Sequence, residues 1–275
     1  MGLPGPLRIG GYFRWAGKLT AGSIRSLFLP FVAGLLVIRV LHFTGVVIAT
    51  AGAGNGSRFV SLTLFLVFGV VLTLILGCLL AGIASVVFVH RLTGTPSGAR
   101  AGWNERMRPK LGNLVAGALY GSIPVMALLL LFGPFGGLVQ VAVIPMLLGP
   151  PIFVQAVCWE GHEFRAAGAR AKNLLAGHTL RVVVYMLLIA LCAALVQIVV
   201  LSLVLPLLVE LGGQEFARSA GAIAVDILTT SLVWMFVAAA STVAYLDLRS
   251  RSEESDTTAL EGAVIEASRG APTLG

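Results

Sequence analysis

LFLPFVAGLLVIRVLHFTGVVIATA, Leu27 to Ala51, carries one charged residue, Arg39, in a stretch otherwise almost wholly apolar. A bilayer crossing needs about 20 mainly apolar residues, and every backbone polar group must be satisfied within the span, which leaves helices or closed barrels. The stretch lacks the alternation of polar and apolar residues that a barrel strand would show, so it reads as a membrane helix. The same character extends to Leu246, interrupted only by short basic or glycine-rich connectors. Of 275 residues, 57% are hydrophobic and 11% charged, against roughly 25% charged in a soluble domain. So few charges cannot clothe a water-facing surface.

Six such runs are expected as spans: Leu27 to Ala51, Phe59 to Val89, Leu114 to Phe132, Leu138 to Val157, Val182 to Val209 and Ala222 to Tyr245. Ala51 to Arg58, Gly133 to Gly137 and Glu210 to Ala220 read as tight turns joining them in pairs. The basic residues gather in the other connectors. Arg8, Arg14, Lys18 and Arg25 precede the first span; Arg91, Arg100, Arg106, Arg108 and Lys110 follow the second; Arg165, Arg170, Lys172 and Arg181 follow the fourth; Arg249, Arg251 and Arg269 follow the sixth. Only Arg58 and Arg218 fall on the other side. By the positive-inside rule both termini are cytoplasmic, in a multi-pass protein of the plasma membrane. Arg25, the apolar run and Ala49-Thr50-Ala51 loosely resemble a secretion signal, but a signal's apolar core is about 7 to 15 residues, so the first span is expected to stay uncleaved.

RWAGKLTAGSIR (Arg14 to Arg25) and RAKNLLAGHTLR (Arg170 to Arg181) share their flanking arginines and helical spacing of apolar residues. Ser97 to Leu111 matches them in charge and position. The expected architecture is all-α: six transmembrane helices in three hairpins, each preceded by an amphipathic cytoplasmic helix lying in the headgroup plane. Residues 1–26 form the first such segment, 27–249 the membrane domain with connector helices at about 97–111 and 161–178, and 250–275 a polar tail with at most a short helix around Thr258 to Ala267.

Arg39 is the sharpest local feature, because a charge near mid-span costs at least ~2.5–3.5 kcal/mol. At 1.5 Å per residue it lies about 18 Å from the cytoplasmic end of span one, and Asp226 about 8 Å from the external end of span six, so in a core about 30 Å thick their depths nearly coincide. The expected polar cluster is Arg39 and Asp226, with His42 one turn outward. Gln140, Gln155 and Gln197 read as interhelical hydrogen-bond formers, and Cys78, Cys158 and Cys192 as packing residues without metal-ligand spacing. Glu160, His162 and Glu163 lack the spacing of a zinc helix, and no catalytic, cofactor-binding or metal-binding motif stands out. The net charge of +7 suits anionic headgroups; nothing accompanies it that would read nucleic acid.

YLDLRSRSEESD, Tyr245 to Asp256, resembles the Y-x-D-L-R-x-R-x-E-x-x-D segment after the last span of a family of six-span prokaryotic proteins. They are named after the membrane domain of glycerophosphoryl diester phosphodiesterase. Glu160 to Arg181, with Leu174, Leu175, Gly177 and Arg181, resembles the family's connector. Leu246 and Glu254 depart from it, standing where the family often has an aromatic and a glycine. In fused relatives the enzyme activity belongs to a separate barrel domain, which is absent from this sequence. Physically the segment reads as an interfacial lock: Tyr245 anchors at headgroup depth, and Asp247, Arg249, Arg251 and Glu253 pair with charged connectors. Arg170 or Arg181 is the expected partner of Asp247. The function expected is that of a non-catalytic scaffold or accessory protein at the cytoplasmic membrane face, binding anionic lipid and a protein partner. The alternative is a permease or lipid-handling protein acting through Arg39, His42 and Asp226.

Overall fold

Nothing in the residues leading into the first apolar run stops a helix, and in the computed structural model helix α1 (Ile9–Ala51) passes unbroken through Arg25 and Leu27. The structure describes residues 9–51, 55–93, 103, 108–132, 149–216 and 221–252. The described elements after α1 are α2 (Asn55–Thr93), a 3-10 turn (Arg108–Lys110) leading into α3 (Leu111–Phe132), α4 (Gly149–Trp159), α5 (Phe164–Leu175), α6 (Thr179–Phe216) and α7 (Ala222–Ser252). No strand occurs among the described residues. Among the described residues four segments are long and apolar enough to cross a membrane: Gly10–Leu41, Val71–Leu92, Thr179–Val204 and Ala222–Arg251.

Four expectations about boundaries are corrected. Arg14 to Arg25 is the first part of α1, continuous with the span, rather than a separate helix lying in the headgroup plane. Pro30 cannot donate to the carbonyl one turn back, but the neighbouring bonds carry the helix past it. Glu210 to Ala220 is no tight turn, since α6 remains helical to Phe216, and α2 starts at Asn55 within the expected first turn. Hydropathy marks where the apolar layer ends, and backbone hydrogen bonding can continue beyond it. Arg170 to Arg181 is split: α5 stops at Leu175, Gly177 takes φ +78°, and Arg181 belongs to α6. A left-handed residue of this kind closes a helix at little cost when it is glycine. Gly133 to Gly137, Leu138 to Leu148 and most of Ser97 to Leu111 lie outside the described residues.

α7 is the central helix, touching α1, α2, α4, α5 and α6. Its sequence explains why: Ala238, Ala239, Ala240, Ser241 and Ala244 are all buried, and such small side chains let neighbouring backbones approach closely. The main core gathers at the end of the bundle that carries the cations. There Tyr12, Leu19 and Leu27 of α1 meet Phe88 and Leu92 of α2, Leu174 of α5, Val182 and Tyr185 of α6, and Val243 and Leu248 of α7. A second cluster joins α2, α3, α4 and α5 through Val86, Leu114, Phe153 and Ala167.

Toward the other end the helices expose apolar side chains. Leu36, Val40 and Leu41 on α1, Leu191, Leu195, Ile198 and Leu203 on α6, and Ile223 and Leu228 on α7 are exposed. Soluble monomers rarely leave so extensive an apolar surface facing water. The pattern is that of a membrane protein, with a packed charged end and an apolar belt.

Candidate functional site

Polar side chains concentrate at two levels. At the charged end, residues 245 to 251 of α7 place a polar group at every second position. On a helix the pairs four apart share a face, while positions two apart point roughly 200° away from each other. Tyr245 and Arg249 therefore look one way, and Asp247 and Arg251 the other.

The first pair grips Glu160, in the turn between α4 and α5. Arg170 of α5 holds this carboxylate as a fork, Nε to Oε2 at 2.8 Å and Nη2 to Oε1 at 3.0 Å. The Tyr245 hydroxyl donates to Oε1, Arg249 Nη1 lies 3.4 Å from the same oxygen, and His162 Nε2 is 3.0 Å from Oε2. Gly161, at φ +72°, turns the chain so that Glu160 and His162 can meet. Burial by itself would raise the Glu160 carboxyl, but the hydrogen bonds from Arg170 and Tyr245 and the charges of Arg170 and Arg249 outweigh it and hold the group below its ordinary value.

That depression has a sign in stability. A carboxyl lowered in the folded state stabilises fully above the unfolded glutamate value of about 4.3, and its contribution is lost as pH falls through the lower, folded value. Thermal unfolding in detergent should show stability falling on acidification below about pH 4. Glu160→Gln should be less stable at neutral pH and should show a shallower acid limb. Parallel acid limbs would remove Glu160 as their source.

The second pair grips the opposite side. Asp247 is wholly buried, accepts from the Tyr12 hydroxyl of α1 and from Arg251 Nε at 2.9 Å, and lies 3.8 Å from Arg181 Nε of α6. Arg181 also stands over the Tyr12 ring, 5.9 Å from its centroid, and Tyr12 packs on Tyr185 with centroids 4.0 Å apart. The end of α7 is thus clamped between α4 and α5 on one face and α1 and α6 on the other.

The expected lock residues divide between these two carboxylates. Arg181 is the connector arginine beside Asp247, whereas Arg170 is taken by Glu160. Tyr245 is fully buried, so it does not reach headgroups as an anchor; its ring packs edge-on against Trp159 at 5.4 Å. Glu253 lies outside the described residues. Sequence reading missed Glu160 as a second hub and Tyr12 as a partner of Asp247. The spacing of Tyr245 with Arg249 and of Asp247 with Arg251 was the available signal.

The other level lies far along α7, since the residues between Asp226 and Asp247 span about 31 Å at 1.5 Å per residue. Arg39 Nη2 of α1 is 2.6 Å from Asp226 Oδ2, the two side chains 45% and 24% exposed. Asp226 Oδ1 accepts from Gln197 Nε2 of α6 at 3.1 Å and from Thr230 at 3.2 Å, and Gln197 also donates to Thr230 at 2.9 Å. Three helices therefore meet at one carboxylate. The side chain of His42 lies outside those described.

Among the described residues no three His, Cys, Asp or Glu side chains gather as a metal ion would require. The Glu160 and Asp247 carboxylates already face cations and tyrosines, an arrangement suited to holding helices together. Cys78 and Cys158 are buried, and Cys192 is exposed on α6. Compared with models of protein families, with curated proteins and with solved structures, the chain matches none of them.

Proposed function

We propose that this is a non-catalytic integral membrane protein of the plasma membrane, with six spans in three hairpins and both termini cytoplasmic. In this reading its charged end forms a scaffold or accessory platform at the cytoplasmic face. It touches anionic headgroups and receives a protein partner. The observation that carries the reading is the use of the polar groups at that end: Glu160 and Asp247 are enclosed by cations and tyrosines from α1, α5, α6 and α7, while Arg165 and Lys172 of α5 remain exposed. The chemistry inside is structural, and the charge left outside is available for docking. The resemblance of Tyr245 to Asp256 and of Glu160 to Arg181 to the phosphodiesterase membrane-domain family supports the same reading.

Depth supports it too. With Asp226 about 8 Å from the external edge of a core about 30 Å thick, Asp247 falls about 9 Å beyond the opposite edge, outside the hydrocarbon. The clamps then form a packed vestibule below the membrane. Single cysteines in a Cys192→Ser background test the topology. Those replacing Thr179 or Ser250 should react with an impermeant thiol reagent only after permeabilisation, and those replacing Ala53, Gly136 or Gly213 should react in intact cells. Protection of the Gly136 position in intact cells would eliminate the six-span arrangement.

A second reading, a permease or lipid-handling protein, draws on the meeting of Arg39, Gln197, Asp226 and Thr230 between three helices. Purification in mild detergent separates the two. A stoichiometric protein partner lost on charge reversal at Arg165 and Lys172 is expected. A stoichiometric lipid or solute lost on changing Arg39 and Asp226 to leucine would favour the second.

A further inference from the structure

Arg25 stands where α1 leaves the hydrocarbon. With Arg39 at the depth of Asp226, about 8 Å from the external edge of a core about 30 Å thick, the opposite edge lies about 22 Å back along α1, and the residues from Arg39 to Arg25 cover about 21 Å. Gly22 then falls about 4 Å outside the edge, within a headgroup layer roughly 5–8 Å thick. A cluster of cations surrounds it. Lys18 and Arg25 lie one turn away on either side, both exposed, and Arg91 at the end of α2 reaches across to donate to the Gly22 carbonyl. Glycine makes room for it, since a Cβ at Gly22 would lie 3.0 Å from Arg91 Nε.

Neither α1 nor α2 contains an acidic residue to balance these charges. The ion pairs described above gather at Asp226, Glu160 and Asp247. Asp247 meets α1 through Tyr12, on the face opposite the cluster. Above the cations the same face turns apolar. At 3.6 residues per turn Lys18, Arg25, Leu29 and Leu36 fall within about 40° of one another. Leu29 is 74% exposed and Leu36 48%, with the exposed Val40 beside them further in. Charge at headgroup depth and aliphatic surface running into the hydrocarbon follow in the order in which a phospholipid presents phosphate and acyl chains.

We propose that this face binds an anionic phospholipid of the leaflet at the charged end, its phosphate among Lys18, Arg25 and Arg91 and its acyl chains along Leu29, Leu36 and Val40. The site rests on the platform reading, which sets the charged end against anionic headgroups, and it places one of them. Arg25 and Arg91 offer the forked donors that suit phosphate oxygens. Lys18, and Arg14 one turn beyond it, continue the positive charge outward past the phosphate. A choline headgroup would carry its ammonium into that charge, so a lipid with an anionic phosphate and no cation is preferred.

The test takes the full chain purified in mild detergent and stripped of lipid, and counts bound lipid by native mass spectrometry as phosphatidylglycerol or phosphatidylcholine is added. The parent should retain phosphatidylglycerol in preference to phosphatidylcholine. Lys18→Gln with Arg25→Gln, at exposed positions that leave the core untouched, should weaken that retention about tenfold. The charge-keeping pair Lys18→Arg with Arg25→Lys should keep most of it, and Arg108→Gln, which removes an exposed cation outside this face, should change nothing. Undiminished retention by the double glutamine variant overturns the site, and so does an equal loss in Arg108→Gln, which would make the effect one of overall charge. Glycerol phosphate should not displace the lipid; displacement as effective as that by phosphatidylglycerol would give the cluster to a soluble phosphate compound and overturn the lipid assignment. Because lipid is counted without any protein partner, a partner that survives charge reversal at Arg165 and Lys172 would remove the platform while a tenfold loss in the double glutamine variant still upheld the site.

Discussion

Asp247→Ala is expected to destabilise the protein by about 3 kcal/mol, near the low end of the 3–5 kcal/mol for breaking a buried pair from one side. The side chain is wholly buried and collects Tyr12 from α1, Arg251 from its own helix and Arg181 from α6. Removing it leaves two guanidinium groups facing a void and a tyrosine hydroxyl without its acceptor. The low end applies because the Arg181 and Arg251 side chains are 36% and 24% exposed, so both can turn partly toward water. Tyr12→Phe deletes one hydrogen bond to a charged group and should cost about 1.5–3 kcal/mol. Because the two changes share a partner, the double variant should fall short of their sum. Thermal or denaturant unfolding in mild detergent reads all three. Asp247→Ala melting with a surface control such as Lys172→Ala would mean that Asp247 does not hold the vestibule together.

The helical, apolar character of the chain is legible in the sequence because it rests on composition, which no tertiary contact can reverse. Helix ends are harder to read. Hydropathy falls at Glu210, yet α6 continues to Phe216, because hydrophobicity reports the surrounding medium and helicity reports local hydrogen bonding. Continuity between Arg14 and Ala51 is hidden for the converse reason: a change from amphipathic to apolar character looks like a boundary, although nothing there breaks a helix.

The charged end shows what pattern alone can and cannot supply. The sequence ties Asp247 to a connector arginine, and Arg181 stands 3.8 Å away. Which arginine goes to which acid depends on the break at Gly177, which turns Arg181 onto α6 and leaves Arg170 on α5 to fork Glu160. Tyr245 reads as a headgroup anchor from its place at the end of a span. Its burial comes from α4 and α5 folding over it, a tertiary event that leaves no local trace.

Arg39→Leu alone should leave Asp226 without a counter-charge, and Asp226→Leu should strand Arg39; each is expected to cost about 2.5–3.5 kcal/mol of insertion or stability. The charge-swapped pair, Arg39→Asp with Asp226→Arg, should recover most of the loss, and failure of the swap to recover anything would sink the pairing. The double leucine variant is the more informative comparison. Replacing both partners of a low-dielectric ion pair by apolar groups is often neutral or stabilising, and Gln197 and Thr230 would keep their mutual hydrogen bond at 2.9 Å. A clasp that only joins α1 to α7 should therefore be dispensable once both charges are gone, with stability and partner binding intact. A site that handles a polar solute or lipid headgroup needs the charges themselves, so the same variant should insert and melt normally yet lose its bound ligand. The platform reading requires the first result. A well-folded double leucine variant that has lost a ligand held by the parent would transfer the function of this protein from its charged end to Arg39 and Asp226.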